Sequence, residues 1–162
     1  MGFSEWLDEF RGMHEKARAG KLDERGTKAY VTARDELATA LITAQRLALD
    51  PAIAARNALR VARAMQIDLE LASGKVRALT LDISVSGFSA MLGRQPDASE
   101  AVGYSLRMSD GVPLVGRASV QGTRRQGASY RVSFAFRELA AEDAERLSLA
   151  VFDAALGQLQ RR

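Results

Sequence analysis

Two short runs combine residue types able to grip a small polar ligand. The first, Asp82-Ile83-Ser84-Val85-Ser86-Gly87, has the form Asp-x-Ser-x-x-Gly. An aspartate and a serine two apart at a strand end can face one ligand, and a glycine lets the backbone turn sharply without a Cβ in the way. A carboxylate accepts hydrogen bonds and donates none, so Asp82 suits a partner with two adjacent N–H groups, such as the Watson–Crick edge of guanine. The same residues also suit a self-contained Asx or ST turn whose side chains satisfy only their own backbone. The second run, Arg56-Asn57-Ala58-Leu59-Arg60, places two guanidiniums four residues apart just before the first expected strand. Each can fork onto a phosphate or stack on a purine face. In a chain this rich in arginine, chance supplies on the order of two such spacings, so position carries the information here.

Composition removes most other chemistry. The 162 residues contain no Cys and a single His, His14. Disulfides, thiolate zinc sites and cysteine nucleophiles are therefore excluded, and no two-His metal face can form. A Ser-His-Asp triad would have to run through His14, which sits on an amphipathic helix and reads as a solvated or partly packed side chain. The sequence is thus read as non-enzymatic, without a metal or a resident cofactor. No apolar run approaches the roughly 20 residues of a membrane span, and the acidic, amphipathic start MGFSEWLDEF is unlike a secretory signal. A cytoplasmic protein is expected.

Charge is unevenly placed. Residues 1–50 carry 8 basic and 9 acidic side chains, whereas residues 51–137 carry 12 and 6, a net +6. Of the 23 basic residues 19 are Arg. Arginine's flat fork favours phosphate and nucleotide ligands, although a high-GC codon bias writes the same composition.

The elements that must position these residues fall into two regions. Phe3, Trp6, Leu7, Phe10, Met13 and Ala17 recur at helical spacing, with Ser4 as the expected N-cap and Gly20 as the stop. A second helix is expected over residues 27–48, with Tyr30, Val31, Leu37, Leu41, Ala44 and Ala48 on one face until Asp50-Pro51 ends it. A strict heptad would put Arg34 at an inner position, so an extended coiled coil is not expected. From residue 60 the period becomes two. Six strands are expected: Met65 to Leu71, Leu79 to Ile83, Phe88 to Leu92, Tyr104 to Met108, residues 113–122, and Tyr130 to Phe136 with Arg131, Ser133 and Arg137 outward. Arg124-Arg125 reads as a solvated turn. A last helix starts at the acids of 142–145, puts Leu147, Val151, Ala155 and Leu159 on one face and ends at Arg161-Arg162. Six short antiparallel strands without intervening helices suit a small closed barrel, with the last helix covering an open side.

Together these features resemble the PilZ domain family, bacterial receptor modules for cyclic di-GMP. In that family an Arg-x-x-x-Arg segment leads into the first strand and an Asp/Asn-x-Ser-x-x-Gly turn follows about twenty residues later; here Arg60 and Asp82 are 22 apart. Val61 after the second arginine, Gly87-Phe88 opening an apolar strand, the Tyr130 to Phe136 strand and the final helix extend the similarity over residues 55–160. Ala55 stands where many relatives carry a further basic residue, a departure that bears on affinity and on the number of bound nucleotides. The resemblance implies a six-stranded antiparallel barrel with a C-terminal helix, over residues 51–162; the N-terminal helical hairpin, residues 1–50, lies outside it, and the whole is expected to be α+β, mainly β. It implies that Arg56 and Arg60 contact guanine and phosphate groups of cyclic di-GMP, that Asp82 binds a guanine edge, that Ser84 supports the phosphate or the turn, and that Gly87 shapes the loop.

The expected function is a cyclic di-GMP receptor or adaptor that couples the second messenger to an unidentified protein partner through the N-terminal helices, in control of motility, biofilm or exopolysaccharide. The alternative is an adaptor of the same fold that binds no nucleotide. The strands lack the interleaved exposed aromatics that stack nucleic-acid bases, so nucleic acid is not the expected partner. The apolar faces of the first two helices are compatible with a homodimer or with covering each other.

Overall fold

The computed structural model describes residues 2–48, 59–97 and 100–160. They form two compact units, Met1–Leu59 with Phe152–Arg162, and Arg60–Val151.

The first unit is helical, with α1 (Phe3–Arg18), α2 (Glu24–Ala48) and the end of α3 (Ala141–Gln160). Gly2 caps α1 without a side-chain bond, so Ser4, expected as the cap, lies inside the helix. The C-terminus follows its signal: Gly20 takes a φ of 68°, its N–H reaches the Ala17 carbonyl and that of Lys21 reaches Lys16. This double closure satisfies carbonyls that the last turn leaves open. Phe10 is fully buried, stacked on Tyr30 at 5.6 Å and edge-on to Phe152 at 6.2 Å. Trp6 stacks on Phe10 from its half-buried place one turn earlier. Arg34 does occupy the inner position the heptad assigned, its guanidinium 5.2 Å from the Tyr30 ring and 5.8 Å from that of Phe152. The aromatic faces make a charged group tolerable there.

His14 is only 1% exposed, which corrects the expectation of a solvated or partly packed side chain. Its Nδ1 lies 2.8 Å from the Tyr30 hydroxyl, and Nε2 faces Asp153 Oδ1 at 3.5 Å, too far for a strong hydrogen bond. Arg18 takes the same Asp153 oxygen at 3.0 Å. Burial holds the His14 pKa below its ordinary 6.5, Arg18 pushes the same way, and Asp153 and Glu15 oppose them. Below pH 6.5 the unfolded chain therefore binds a proton that the folded chain resists, so stability is complete above that pH and is lost as pH falls through it. Thermal melts should show a lower melting temperature at mildly acidic pH for the wild type and a smaller drop for His14→Gln. Equal drops would remove His14 as the cause.

The second unit is built on β1 (Val61–Ala62), β2 (Gln66–Leu71), β3 (Gly74–Ile83), β4 (Gly87–Leu92), β5 (Ala101–Leu106), β6 (Leu114–Gln126) and β7 (Ser129–Arg137). The sheet order β3-β2-β5-β6-β7-β4 closes through β3–β4 pairing into a six-stranded antiparallel barrel, and the two-residue β1 adds to β3 outside the ring. Closure leaves the ring no free edge. Ile67, Leu69, Phe88, Ala90, Val102, Leu106, Leu114, Ala118, Val132 and Phe134 fill it. Phe88 and Phe134 sit directly opposite each other and stack at 4.8 Å.

Three expectations need correction. Strand β3 begins at Gly74 rather than at Leu79, because Lys75 and Arg77 pair with Glu70 and Asp68 of β2 and carry no apolar signal. Leu79, placed with Leu81 and Ile83 in one apolar alternation, is 58% exposed. Arg124 and Arg125 are strand residues of β6, opposite Arg131 and Tyr130, not a turn. The first half of α3 belongs to the barrel unit, with Leu147 and Val151 buried. Arg146 anchors it to the β5–β6 connection through Asp110 at 3.3 Å and the Val112 carbonyl. The expected helix end at Arg161-Arg162 lies outside the described residues. Among the described residues no helix is long and apolar enough to cross a membrane.

Candidate ligand-binding site

A bulge in β3 aims Asp82. Thr80 pairs with Ala90 and Asp82 with Ser89, two steps on one strand against one on the other, with Leu81 as the extra residue. Residues paired across strands share a face. Thr80 therefore lies with the buried Ala90 and Val132, whereas Asp82 lies with Ser89 and Ser133 on the outer face. In a regular strand Thr80 and Asp82 would face the same way; the extra residue separates them.

The entry segment is fastened beside this bulge. Val61 pairs with Ile83 and Ala62 with Asp82. The Thr80 hydroxyl donates to the Arg63 carbonyl at 2.7 Å and accepts from the Met65 N–H at 2.9 Å. Arg60, immediately before β1, is thereby delivered to Asp82, and its Nη1 donates to Oδ1 at 2.9 Å. The second carboxylate oxygen accepts from Nη2 of Arg131 at 2.8 Å; the same nitrogen lies 3.4 Å from Ser89 Oγ. Asp82 is thus a nearly buried carboxylate between two guanidiniums, the Arg60 side chain 16% exposed and the Arg131 side chain 39%. A buried carboxylate needs this compensation, because an unpaired charge out of water is strongly destabilising.

Of the expected site residues, Arg60 and Asp82 meet directly, while Arg56 lies outside the described residues. Ser84 is fully buried and closes the turn: its Oγ accepts from the N–H groups of Ser86 and Gly87, both at 3.1 Å, and its own N–H donates to the Gly87 carbonyl at 2.8 Å. The Phe136 N–H reaches the Ser86 carbonyl at 3.0 Å and ties the turn to β7. Gly87 owes its place to a close approach: a Cβ there would lie 2.0 Å from the Phe134 carbonyl oxygen. Arg131 was legible only as an outward residue of the last strand; it stands 49 positions after Asp82, and nothing local marks the pair.

The resulting cluster offers two cations around one acceptor at the rim of a rigid barrel, a combination suited to a ligand that carries both anionic groups and paired N–H donors. A separate groove of about 630 Å³ crosses the outer face of β2, β3, β5 and β6, lined by residues including Asp68, Glu70, Arg77 and Arg117. It shares no residue with the two motifs, and Asp68 is already paired with Arg77 at 3.0 Å.

A small closed antiparallel barrel with an entry arginine clasped to an Asp-x-Ser-x-x-Gly turn is the arrangement that the PilZ resemblance implies. The PilZ domain model matches residues 54–153, and the chain belongs to that family. A comparison with curated proteins returned no match. Among solved structures the chain is similar to the Bacillus subtilis inhibitor of motility MotI/DgrA, at 18% identity and a TM-score of 0.57 over 66% of this chain and 53% of that one. It is similar to Escherichia coli YcgR in complex with c-di-GMP, at 17% identity and a TM-score of 0.58 over 66% of this chain and 49% of that one. The K. pneumonia MrkH–c-di-GMP complex gives 16% identity and a TM-score of 0.56 over 66% and 55%. The chain therefore aligns with about half the length of each of these proteins, and the shared feature is the fold.

Proposed function

We infer that this protein is a cyclic di-GMP receptor without catalytic activity, acting in the cytoplasm and passing nucleotide binding to a protein partner through its helical unit. The observation that carries the reading is the meeting of Arg60 and Asp82 at 2.9 Å on the barrel rim, because it brings one residue of each motif together. Arg56 and Arg60 bind phosphate and stack on guanine; Asp82 takes a guanine edge; Ser84 and Gly87 hold the turn that presents it. Support also comes from the family, and from YcgR and MrkH, whose structures are complexes with c-di-GMP. Control of motility, biofilm or exopolysaccharide fits the inhibitor of motility among the similar structures.

Calorimetric titration of cyclic di-GMP at moderate salt, with GTP as control, tests the reading. Saturable binding of the dinucleotide, with weak or absent heat from GTP, is the expected result. No heat at high protein concentration would replace the receptor with an adaptor of the same fold that works without nucleotide.

A further inference from the structure

Asp82 is held from both sides, one carboxylate oxygen by Arg60 and the other by Arg131. The Watson–Crick edge of guanine presents two parallel N–H groups and needs both oxygens at once. Recognition of guanine by Asp82, the reading on which this inference rests, therefore competes with both guanidiniums. Arg131 cannot retreat far. Its backbone is fixed in β7, opposite Met91 of β4 and Arg124 of β6, and its side chain reaches Asp82 past Ser89. Released from the carboxylate, it is left beside a ligand that carries two phosphates.

We propose that Arg131 is a third arginine of the binding site, exchanging its ion pair with Asp82 for one with a ligand phosphate when guanine takes the carboxylate. The exchange conserves charge pairing: one carboxylate–guanidinium bond is given up and one phosphate–guanidinium bond is formed. It also makes the site selective. An adenine edge offers an acceptor where guanine offers its N1–H, so it cannot occupy both Asp82 oxygens, and the ion pairs stay closed against it. Arg131 is thus a specificity-determining residue as well as a phosphate contact.

Titration of cyclic di-GMP and cyclic di-AMP into wild type, Arg131→Ala and Arg131→Lys at low and high salt tests the exchange. Arg131→Ala should bind cyclic di-GMP more weakly by about threefold, because the variant loses the phosphate bond but is spared the carboxylate bond that the wild type gives up. Its affinity should also fall less steeply with salt, because one fewer charge contact is screened. Arg131→Lys should recover the salt dependence but not the full affinity, since an ammonium cannot fork onto phosphate. Cyclic di-AMP should bind wild type far more weakly than cyclic di-GMP. Thermal melting controls for folding, and Arg60 still neutralises Asp82 in both variants. Wild-type binding with Arg131→Ala equal or tighter, at unchanged salt dependence, would overturn the exchange alone and leave Arg131 as a mere competitor for Asp82. Failure of the wild type to bind would overturn the receptor reading together with it.

Discussion

Arg60→Ala should weaken cyclic di-GMP binding about a hundredfold while leaving the barrel folded. The substitution removes a charge-assisted contact and a guanidinium face on which a purine stacks, together worth about 3 kcal/mol, or two decades of affinity. Folding survives because Asp82 keeps its second partner: the Arg131 bond to Oδ2 at 2.8 Å is untouched. The loss of stability should be about 2 kcal/mol, the net value of a hydrogen bond between charged groups. Calorimetry reads the affinity and a thermal melt reads the fold. A melting temperature near that of the wild type with undiminished binding would remove Arg60 from the site. Asp82→Ala is a poorer probe of binding, since it strands two guanidiniums beside each other and confounds recognition with folding.

Gly87→Ala should have the opposite signature, with the fold lost first. A Cβ at this position would lie 2.0 Å from the Phe134 carbonyl oxygen and 3.2 Å from the Ala135 Cα, both backbone atoms. They cannot yield, because Gly87 pairs with Ala135 in the β4–β7 ladder and Phe134 is buried against Phe88 at 4.8 Å. Overpacking of this kind costs about 3 kcal/mol, enough to lower the melting temperature by about 10 °C in a chain of this size. Gly93→Ala, where an added Cβ meets nothing within 4 Å, is the control and should melt close to wild type. Equal melting temperatures for the two variants would refute the close-approach account. Any loss of nucleotide binding in Gly87→Ala should then track the fraction folded.

The readable parts of the fold were those whose periodicity is carried by apolar residues. Ile67, Leu69 and Leu71 in β2, and Val132 and Phe134 in β7, alternate with polar neighbours and all lie in the core, as expected. The start of β3 was silent because its side chains pair with β2 through charge, which leaves no apolar signal. The bulge at Leu81 was hidden for a related reason. The run Leu79, Leu81, Ile83 reads as one face, yet the inserted residue shifts the parity and leaves Leu79 in solvent while Ile83 is buried. His14 looked like a surface residue of an amphipathic helix; the aromatic rings of α1 and α2 and the end of α3 enclose it.

By itself, the sequence determined the family, the succession of two helices, six barrel strands and a last helix, and the two motifs on which the proposed site rests. These are local properties: spacing within one segment decides which face of an element is apolar and where a turn can form. Tertiary structure alone decided which faces meet. It set Arg131 against Asp82, made Gly87 a point of contact between β4 and β7, and folded Ser84 into its own turn. Each of these depends on the closure and register of the sheet. Closure brings strands together across long stretches of chain, and a one-residue change of register reverses the side to which every following side chain points.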